Sequence, residues 1–139
     1  MKKDRARERH LLRKYGITTA DYEARLRTQG GTCKICRQPP VNNRLSVDHD
    51  HRWNKLKITV QKSLTNGFWT AQTIMPLFGV IVDVGKSKQE ARETVRQRAM
   101  SFSVRGLLCQ YCNRGLRFYR DNPQYLANAS QYIQEYVNG

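Results

Sequence analysis

The sequence predicts an α+β protein: a small core of helices and two strands, interrupted by a unit of three strands and a helix. Three observations support this. Helix-forming segments lie towards both ends, two Cys-x-x-Cys pairs lie about seventy residues apart, and alternating apolar and polar residues fill much of the interval. We therefore expect residues 1–52 and 103–139 to form the core, and residues 53–102 to form an inserted module.

The composition indicates a polyanionic partner. The 139 residues suffice for one ordinary domain or two very small ones, and 25 Lys and Arg against 11 acidic residues give a net charge of +14. Such a charge favours nucleic acid, with a basic surface of the ribosomal or membrane-surface kind as the alternative. No apolar run approaches the roughly 20 residues of a membrane span. The charged start Met1-Lys2-Lys3 lacks an apolar signal core, so we expect a cytoplasmic protein with reduced thiols.

Two helices are predicted before the first cysteine. Residues 4–15 form a basic helix that ends before a glycine. Thr18 or Thr19 caps a second helix, and Asp21 suits the first turn because a carboxylate is favourable at a helix N-terminus. Gly30-Gly31 ends it.

The interval between the cysteine pairs predicts three strands and a helix. A first strand is indicated by apolar residues that alternate with polar ones: Leu56, Lys57, Ile58, Thr59, Val60 and Gln61. Further strands are expected over Phe68–Met75 and Phe78–Val84, and a helix from Lys86 to about Met100 with Ser87 as its cap. This unit of about fifty residues is just large enough for its own small core.

The C-terminal part predicts a strand and two helices. Val104–Leu108 is the strand, and the next helix starts at Cys109 and ends near Phe118. Asp121-Asn122-Pro123 begins the last helix. Its apolar face consists of Tyr125, Leu126, Ala129, Tyr132, Ile133 and Tyr136.

All four cysteines stand at zinc-ligand spacing. Cys33 and Cys36 form one pair, and Cys109 and Cys112 the other. This pattern is typical of a structural Zn²⁺ site with four sulfur ligands. A disulfide pair needs an oxidising compartment, and a thioredoxin-like redox motif needs a strand-helix-strand frame that neither pair has. We therefore expect zinc to join the segments before and after the insert.

The segment Arg44–His51 is predicted as a strand whose polar side chains form a reactive site. Alternation places His49 and His51 on one face, and Asp48 and Asp50 on the other. The adjacent side chains of Asp48 and His49 then diverge, so a carboxylate and an imidazole can approach one substrate from different directions. The alternatives are a polar surface strand, or a zinc site that uses histidine. We expect Asp50 to be structural.

The separated blocks resemble one family. These blocks are Cys33-x-x-Cys36, Asp48-His49-Asp50-His51 and Val104-Arg105-Gly106-Leu107-Leu108-Cys109-x-x-Cys112-Asn113, with Leu11-Leu12-Arg13-Lys14-Tyr15-Gly16-Ile17-Thr18 ahead of them. Their order and spacing resemble the recombination endonuclease VII family of the HNH (ββα-metal) nuclease superfamily. The resemblance implies an HNH nuclease core stabilised by structural zinc.

The resemblance also implies a role for each matching residue. Asp48 and Asn113 would bind a catalytic divalent cation, Mg²⁺ or Mn²⁺, which prefers oxygen ligands. His49 would be the general base and His51 would contact the phosphate. Arg105 would neutralise phosphate charge. The insert of about fifty residues in the hairpin loop departs from the family pattern, which leaves Asn54 as the candidate to orient His49.

The insert weakly resembles three-strand-plus-helix DNA-binding modules of HNH homing endonucleases and, at its end, the last helix of double-stranded-RNA-binding domains. Its sheet would present Lys57, Gln61, Trp69, Thr70 and Gln72 to a major groove, and Arg52 is a further expected DNA contact. A structural or dimerisation role is the alternative.

The combined prediction is a metal-dependent endonuclease that hydrolyses phosphodiester bonds of double-stranded DNA. A phage or mobile-element origin and site-directed, homing-like cutting are favoured. The alternatives are a Holliday-type junction resolvase and a non-catalytic zinc protein that binds nucleic acid. A homodimer is compatible with the sequence, although only about 26 residues follow Asn113.

Overall fold

The α+β prediction is confirmed by the computed structural model, which describes residues 2–41, 44–75 and 78–137, without the side chains of Lys2, Lys3 and Asn54. The predicted role of Asn54 therefore lies outside the described residues. Five α-helices occur in this described part: α1 Lys2–Tyr15, α2 Thr19–Thr28, α3 Lys88–Ser103, α4 Gln110–Phe118 and α5 Pro123–Val137. The described strands are β1 Ser46–His49, β2 Ile58–Lys62, β3 Trp69–Met75, β4 Gly79–Gly85 and β5 Val104–Leu108, and a 3-10 helix spans His51–Lys55.

Strands β1 and β5 form a two-stranded antiparallel sheet, and α4 follows β5 after one residue. Ser46 pairs with Leu108, and Asp48 with Gly106. The next pair joins His49 to Val104, so β5 has one more residue than β1 at this point. The extra residue is Arg105, and such a bulge redirects a side chain.

The N-terminal helices pack on this sheet around a shared apolar cluster. Ile17 and Leu107 are fully enclosed in it, and Leu11 and Tyr22 are buried beside them. The hydroxyl of Tyr22 donates to the carbonyl of Leu45 at 2.8 Å, which links α2 to the segment before β1. A buried hydroxyl with a partner avoids the cost of an unsatisfied polar group.

The residues between β1 and β5 form a three-stranded antiparallel sheet in the order β2-β3-β4, with α3 on one face. The predicted stripe of Ala91, Val95 and Ala99 is fully buried against this face. The predicted cap is also present, since the hydroxyl of Ser87 accepts from the backbone N–H of Glu90 at 3.1 Å. Helix α3 ends three residues later than expected and passes directly into β5.

Helix α3 is anchored to helix α1. Arg96 on α3 donates to the carbonyl oxygen of Arg13 at 3.0 Å. Gly16 has a φ of +66°, and a Cβ there would lie 1.9 Å from the carbonyl oxygen of Gln97. Only glycine permits both this conformation and this close approach. The C-terminal end of α1 is therefore fixed against α3.

The segment after β1 differs from the prediction. We expected a strand as far as His51, but β1 ends at His49. The carboxylate of Asp50 accepts from the backbone N–H of Arg52 at 3.0 Å and caps the 3-10 helix. Asp50 therefore turns the chain, because an aspartate side chain readily competes with extended backbone pairing. None of the helices in the described part of the chain is long and apolar enough to cross a membrane.

Candidate functional site

The four cysteines converge as predicted. The Sγ atoms of Cys33, Cys36, Cys109 and Cys112 all lie within 4.8 Å of one another, and those of Cys36 and Cys109 are 3.9 Å apart. Tetrahedral zinc with Zn–S bonds of about 2.3 Å places its sulfurs roughly 3.8 Å apart. The cluster therefore has the donor type and dimensions of a four-sulfur zinc site.

The electrostatics of the cluster also favour a cation. Burial would raise the pKa of Cys33, but hydrogen bonds from the backbone of Cys109, Cys36 and Ile35 outweigh it and lower the pKa. Burial raises the pKa of Cys112, as do its hydrogen bonds with the other three thiols and the negative charge of Cys33. Ionisation of one thiol thus disfavours ionisation of the next, and a bound divalent cation offsets this repulsion between thiolates.

The cysteine cluster fixes the start of α4. Cys109 is the N-cap of this helix, and its sulfur accepts from the backbone N–H of Cys112 at 3.4 Å. The backbone N–H of Asn113 donates to the carbonyl of Cys109 at 3.0 Å. The half-buried Asn113 therefore stands in the first turn of α4, directly after a zinc-type ligand. Its role as a ligand of a catalytic cation stays a prediction.

Asp48 is buried and held by Arg105. Only 6% of Asp48 is exposed, and its two carboxylate oxygens accept from Nε and Nη2 of Arg105, each at 2.8 Å. Arg105 also donates to Asp121 at 3.0 Å. Hydrogen bonding to Asp48 is the main cause that raises the pKa of Arg105, so the guanidinium stays charged. The Asp48 oxygens retain further lone pairs, which suit a hard cation that binds oxygen.

The two histidines are brought together with Tyr15. The ring centroids of His49 and His51 are 4.5 Å apart, and the ring of Tyr15 packs edge-on against His49 at 5.2 Å. The pairing arises from the turn at Asp50 rather than from strand alternation. Burial, followed by repulsion from His51, lowers the pKa of His49 despite the opposing charge of Asp48. A neutral imidazole near pH 7 is the form that accepts a proton.

The cleft beside His49 is lined in part by two cationic side chains, Arg13 and Lys14, that the sequence analysis did not predict. It has a volume of about 430 Å³ and is lined by Arg13, Lys14, His49, His51 and Met100. The ammonium of Lys14 lies 5.2 Å from the centroid of the Tyr15 ring. The available signal was the basic pair immediately before Tyr15-Gly16, but a helix of scattered arginines and lysines does not reveal which of them faces the histidines.

The residues expected to contact DNA are dispersed. The exposed side chain of Arg52 bonds both carboxylate oxygens of Asp50, which lowers the pKa of Asp50 to about 2. Lys57 is exposed just before β2, whereas Trp69 packs on the α3 face of the sheet. Gln61, Thr70 and Gln72 occupy the open face by strand alternation. The sheet therefore separates Trp69 from the other residues expected in a groove.

These features define a class: a small α+β protein in which a four-cysteine cluster lies at one end of a two-stranded sheet, with a buried carboxylate and a histidine pair at the end of its first strand. A profile of the recombination endonuclease VII family matches residues 8–135. The chain belongs to this family, which confirms the resemblance inferred from its motifs.

Two curated relatives are phage proteins. The Gene 59 protein of Mycobacterium phage D29 is 50% identical over 46 residues, and the Gene 59 protein of Mycobacterium phage L5 is 48% identical over 46 residues. Each match covers 32% of this chain, and the chain spans only 28% of the length of either relative. No solved structure matches the chain.

Proposed function

We propose that this chain is a metal-dependent endonuclease that hydrolyses phosphodiester bonds of DNA. Its family membership implies a nuclease acting on DNA. The observation that carries the proposal is the buried Asp48 next to the His49 and His51 pair, on a sheet clamped to α4 by four cysteines. The order of the antiparallel strands β1 and β5 followed by α4 supports the proposal of a ββα-metal (HNH) core.

The carboxylate of Asp48 and the amide oxygen of Asn113 would hold a catalytic Mg²⁺ or Mn²⁺. When bound, this ion supplies charge stabilisation at the phosphate and the leaving oxygen. His49 accepts the proton of the attacking water, because its buried imidazole is neutral near pH 7. His51 and Lys14 face the same cleft and contact the negatively charged phosphate.

The decisive experiment compares plasmid cleavage in Mg²⁺ by the wild type and by His49→Ala. Loss of a general base lowers the rate by about 10²–10⁴-fold. The variant should retain zinc and DNA affinity, since His49 is not among the clustered sulfur ligands. Full cleavage by His49→Ala would contradict its role as base. Absence of cleavage by the wild type would favour the rival class, a non-catalytic zinc protein that binds nucleic acid.

A branched-DNA resolvase is a second candidate, alongside site-directed, homing-like cutting. The family name associates this chain with recombination. Helix α5 supplies a structural observation, since it buries no residue and exposes Tyr132, Ile133 and Tyr136. This apolar face offers a dimer contact, and two paired copies are suited to two cuts. Light scattering of the protein with branched and linear DNA distinguishes a dimer on junctions from a monomer on linear sites.

A further inference from the structure

A second cavity shares no lining residue with the cleft beside His49. Its volume is about 450 Å³, and its walls include Arg52, Trp53, Leu56, Phe78, Phe102 and Arg105. These residues come from the 3-10 helix, the β3–β4 connection, the end of α3 and the bulge of β5. The inserted unit and the core therefore build this cavity together.

Aromatic rings dominate its walls. Phe78 and Phe102 lie 5.2 Å apart between ring centroids with their planes 31° apart, and Trp53 lies 5.9 Å from Phe78. Trp53 is buried, but Phe78 and Phe102 are 53% and 45% exposed. Two large rings that remain this exposed around a cavity offer faces on which a flat ligand can stack.

Cationic groups accompany the rings. The guanidinium of Arg52 has a side-chain exposure of 82% and is bound only to Asp50 among the contacts described for it. The guanidinium of Arg105 forms another part of the wall. Aromatic faces beside arginines fit a ligand that is flat and attached to an anion, which is the chemistry of a nucleotide. A second copy of a chain with net charge +14 would instead bring repulsion.

We propose that this cavity receives one unstacked nucleobase of the DNA substrate, with the base against Phe78 and Phe102 and its phosphate near Arg52. The inference rests on the proposed action on DNA. A base within a regular duplex is stacked on both faces and must leave the helix to enter such a cavity. The cavity therefore selects DNA that already has an unpaired base, such as a bulge, a mismatch or a branch point.

The position of Arg105 connects this cavity to the proposed reaction. The same guanidinium lines the cavity and binds both oxygens of Asp48. A base held against the aromatic rings consequently brings its own backbone next to the carboxylate. Selection of an unpaired base and placement of the neighbouring phosphodiester are thus one binding event.

A nucleotide titration tests the cavity without requiring cleavage. The chain has two tryptophans, so Trp69→Phe leaves Trp53 as the sole fluorescent reporter in the wall. Deoxyadenosine monophosphate should change Trp53 fluorescence saturably, and Phe78→Ala should weaken this binding at least fivefold. Phe68→Ala is the matched control. Phe68 precedes β3, whereas Phe78 follows it, so Phe68 lies about 20 Å along the strand from the end of β3 that is close to the cavity. The proposal would be overturned if deoxyribose 5-phosphate, which lacks a base, changed Trp53 fluorescence as strongly as deoxyadenosine monophosphate. It would also be overturned if neither compound changed it.

A binding comparison tests the selectivity. Fluorescence anisotropy without divalent cations should show the wild type preferring a duplex with a two-base bulge over a perfect duplex by about tenfold, as stacking of one base predicts. Phe78→Ala and Phe102→Ala should abolish the preference, and Phe68→Ala should keep it. Retained preference in both cavity variants would overturn the proposal even if DNA is cleaved. Nucleotide binding and bulge preference in a protein that never cleaves DNA with Mg²⁺ would sustain the cavity and refute the proposed nuclease.

Discussion

Arg105 binds both carboxylate oxygens of Asp48 from the one position where β5 has an extra residue relative to β1. In a regular antiparallel pair, the residue that faces Asp48 is on the partner strand directly opposite. Here Arg105 is the bulged residue without a partner on β1, and its guanidinium bonds the Asp48 carboxylate and also Asp121. The bulge thus places the positive charge of Arg105 beside the buried carboxylate of Asp48.

Arg105→Ala should destabilise the protein by about 1–3 kcal/mol, because it leaves a buried carboxylate without its donor. The exposure of 38% of the Arg105 side chain places the value towards the lower end, since water partly replaces the lost bonds. Urea unfolding of Arg105→Ala, Asp48→Asn and the double variant gives the coupling between them. If the two single costs add without coupling, the hydrogen bonds between Asp48 and Arg105 do not stabilise the fold.

Removal of zinc should unfold the core around the cysteines. The cluster joins the segment after α2 to the start of α4, and the N-terminal helices pack on the sheet between them. We expect one zinc per chain by elemental analysis, and a large fall in Tm on chelation. Cys36→Ser should reproduce the fall, because the Sγ of Cys36 is one of the four clustered sulfurs. Unchanged melting after complete zinc removal would contradict a structural site.

The capping box of α2 predicts an acid-dependent contribution to stability. Asp21 accepts from the backbone N–H and hydroxyl of Thr18, each at 2.8 Å, and the backbone bond is the main cause that lowers its pKa. Asp21 therefore stabilises the fold above the unfolded pKa of about 3.9, and this stabilisation is lost as pH falls through its lower folded pKa. Thr18→Ala should cost about 1 kcal/mol at pH 7.

The measurement compares Tm of the wild type and Asp21→Asn at each pH from 7 downwards. Because release of zinc in acid would unfold the core, the comparison ends at the lowest pH at which both proteins still bind zinc. We expect the full difference in Tm at pH 7 and a smaller one as the pH approaches 4. Equal Tm values at pH 7 would show that the charge of Asp21 contributes nothing.

The sequence predicted those features that depend on local spacing. Capping at Thr18 and Ser87, the buried stripe on α3 and the cysteine cluster follow from residue types at fixed intervals, and the structure contains them. The predicted extension of the strand to His51 was wrong, because the side chain of Asp50 caps a 3-10 helix that begins at His51. Local rules describe averages, and one polar side chain can override them.

Contacts between distant segments were not predictable in the same way. The bulge at Arg105 depends on how β5 pairs with the distant β1, and the orientation of Trp69 depends on which sheet face α3 covers. Lys14 lines the cleft with the histidines near the point where Gly16 lets α1 approach α3 closely. Each of these outcomes is set by packing at long sequence separation.

Lys14 should contribute to cleavage rather than to general DNA affinity. It shares a cleft with His49 and His51, and α1 is held there by the bond from Arg96 to the carbonyl of Arg13. A cation placed beside the transferring group stabilises charge that develops in the transition state, and loss of one such group typically costs about 10²–10³-fold. Lys14→Gln should therefore lower the single-turnover cleavage rate by roughly 10²-fold while DNA affinity changes by no more than about twofold.

Lys88→Gln is the matched control, because Lys88 is an exposed lysine at the opposite end of α3 from Met100, about 18 Å along the helix. It removes the same charge from the protein without changing the cleft. If net charge alone governs cleavage, the two variants will lose rate equally and both will recover at lower salt. A loss confined to Lys14→Gln that low salt does not restore places this ammonium at the reacting phosphate.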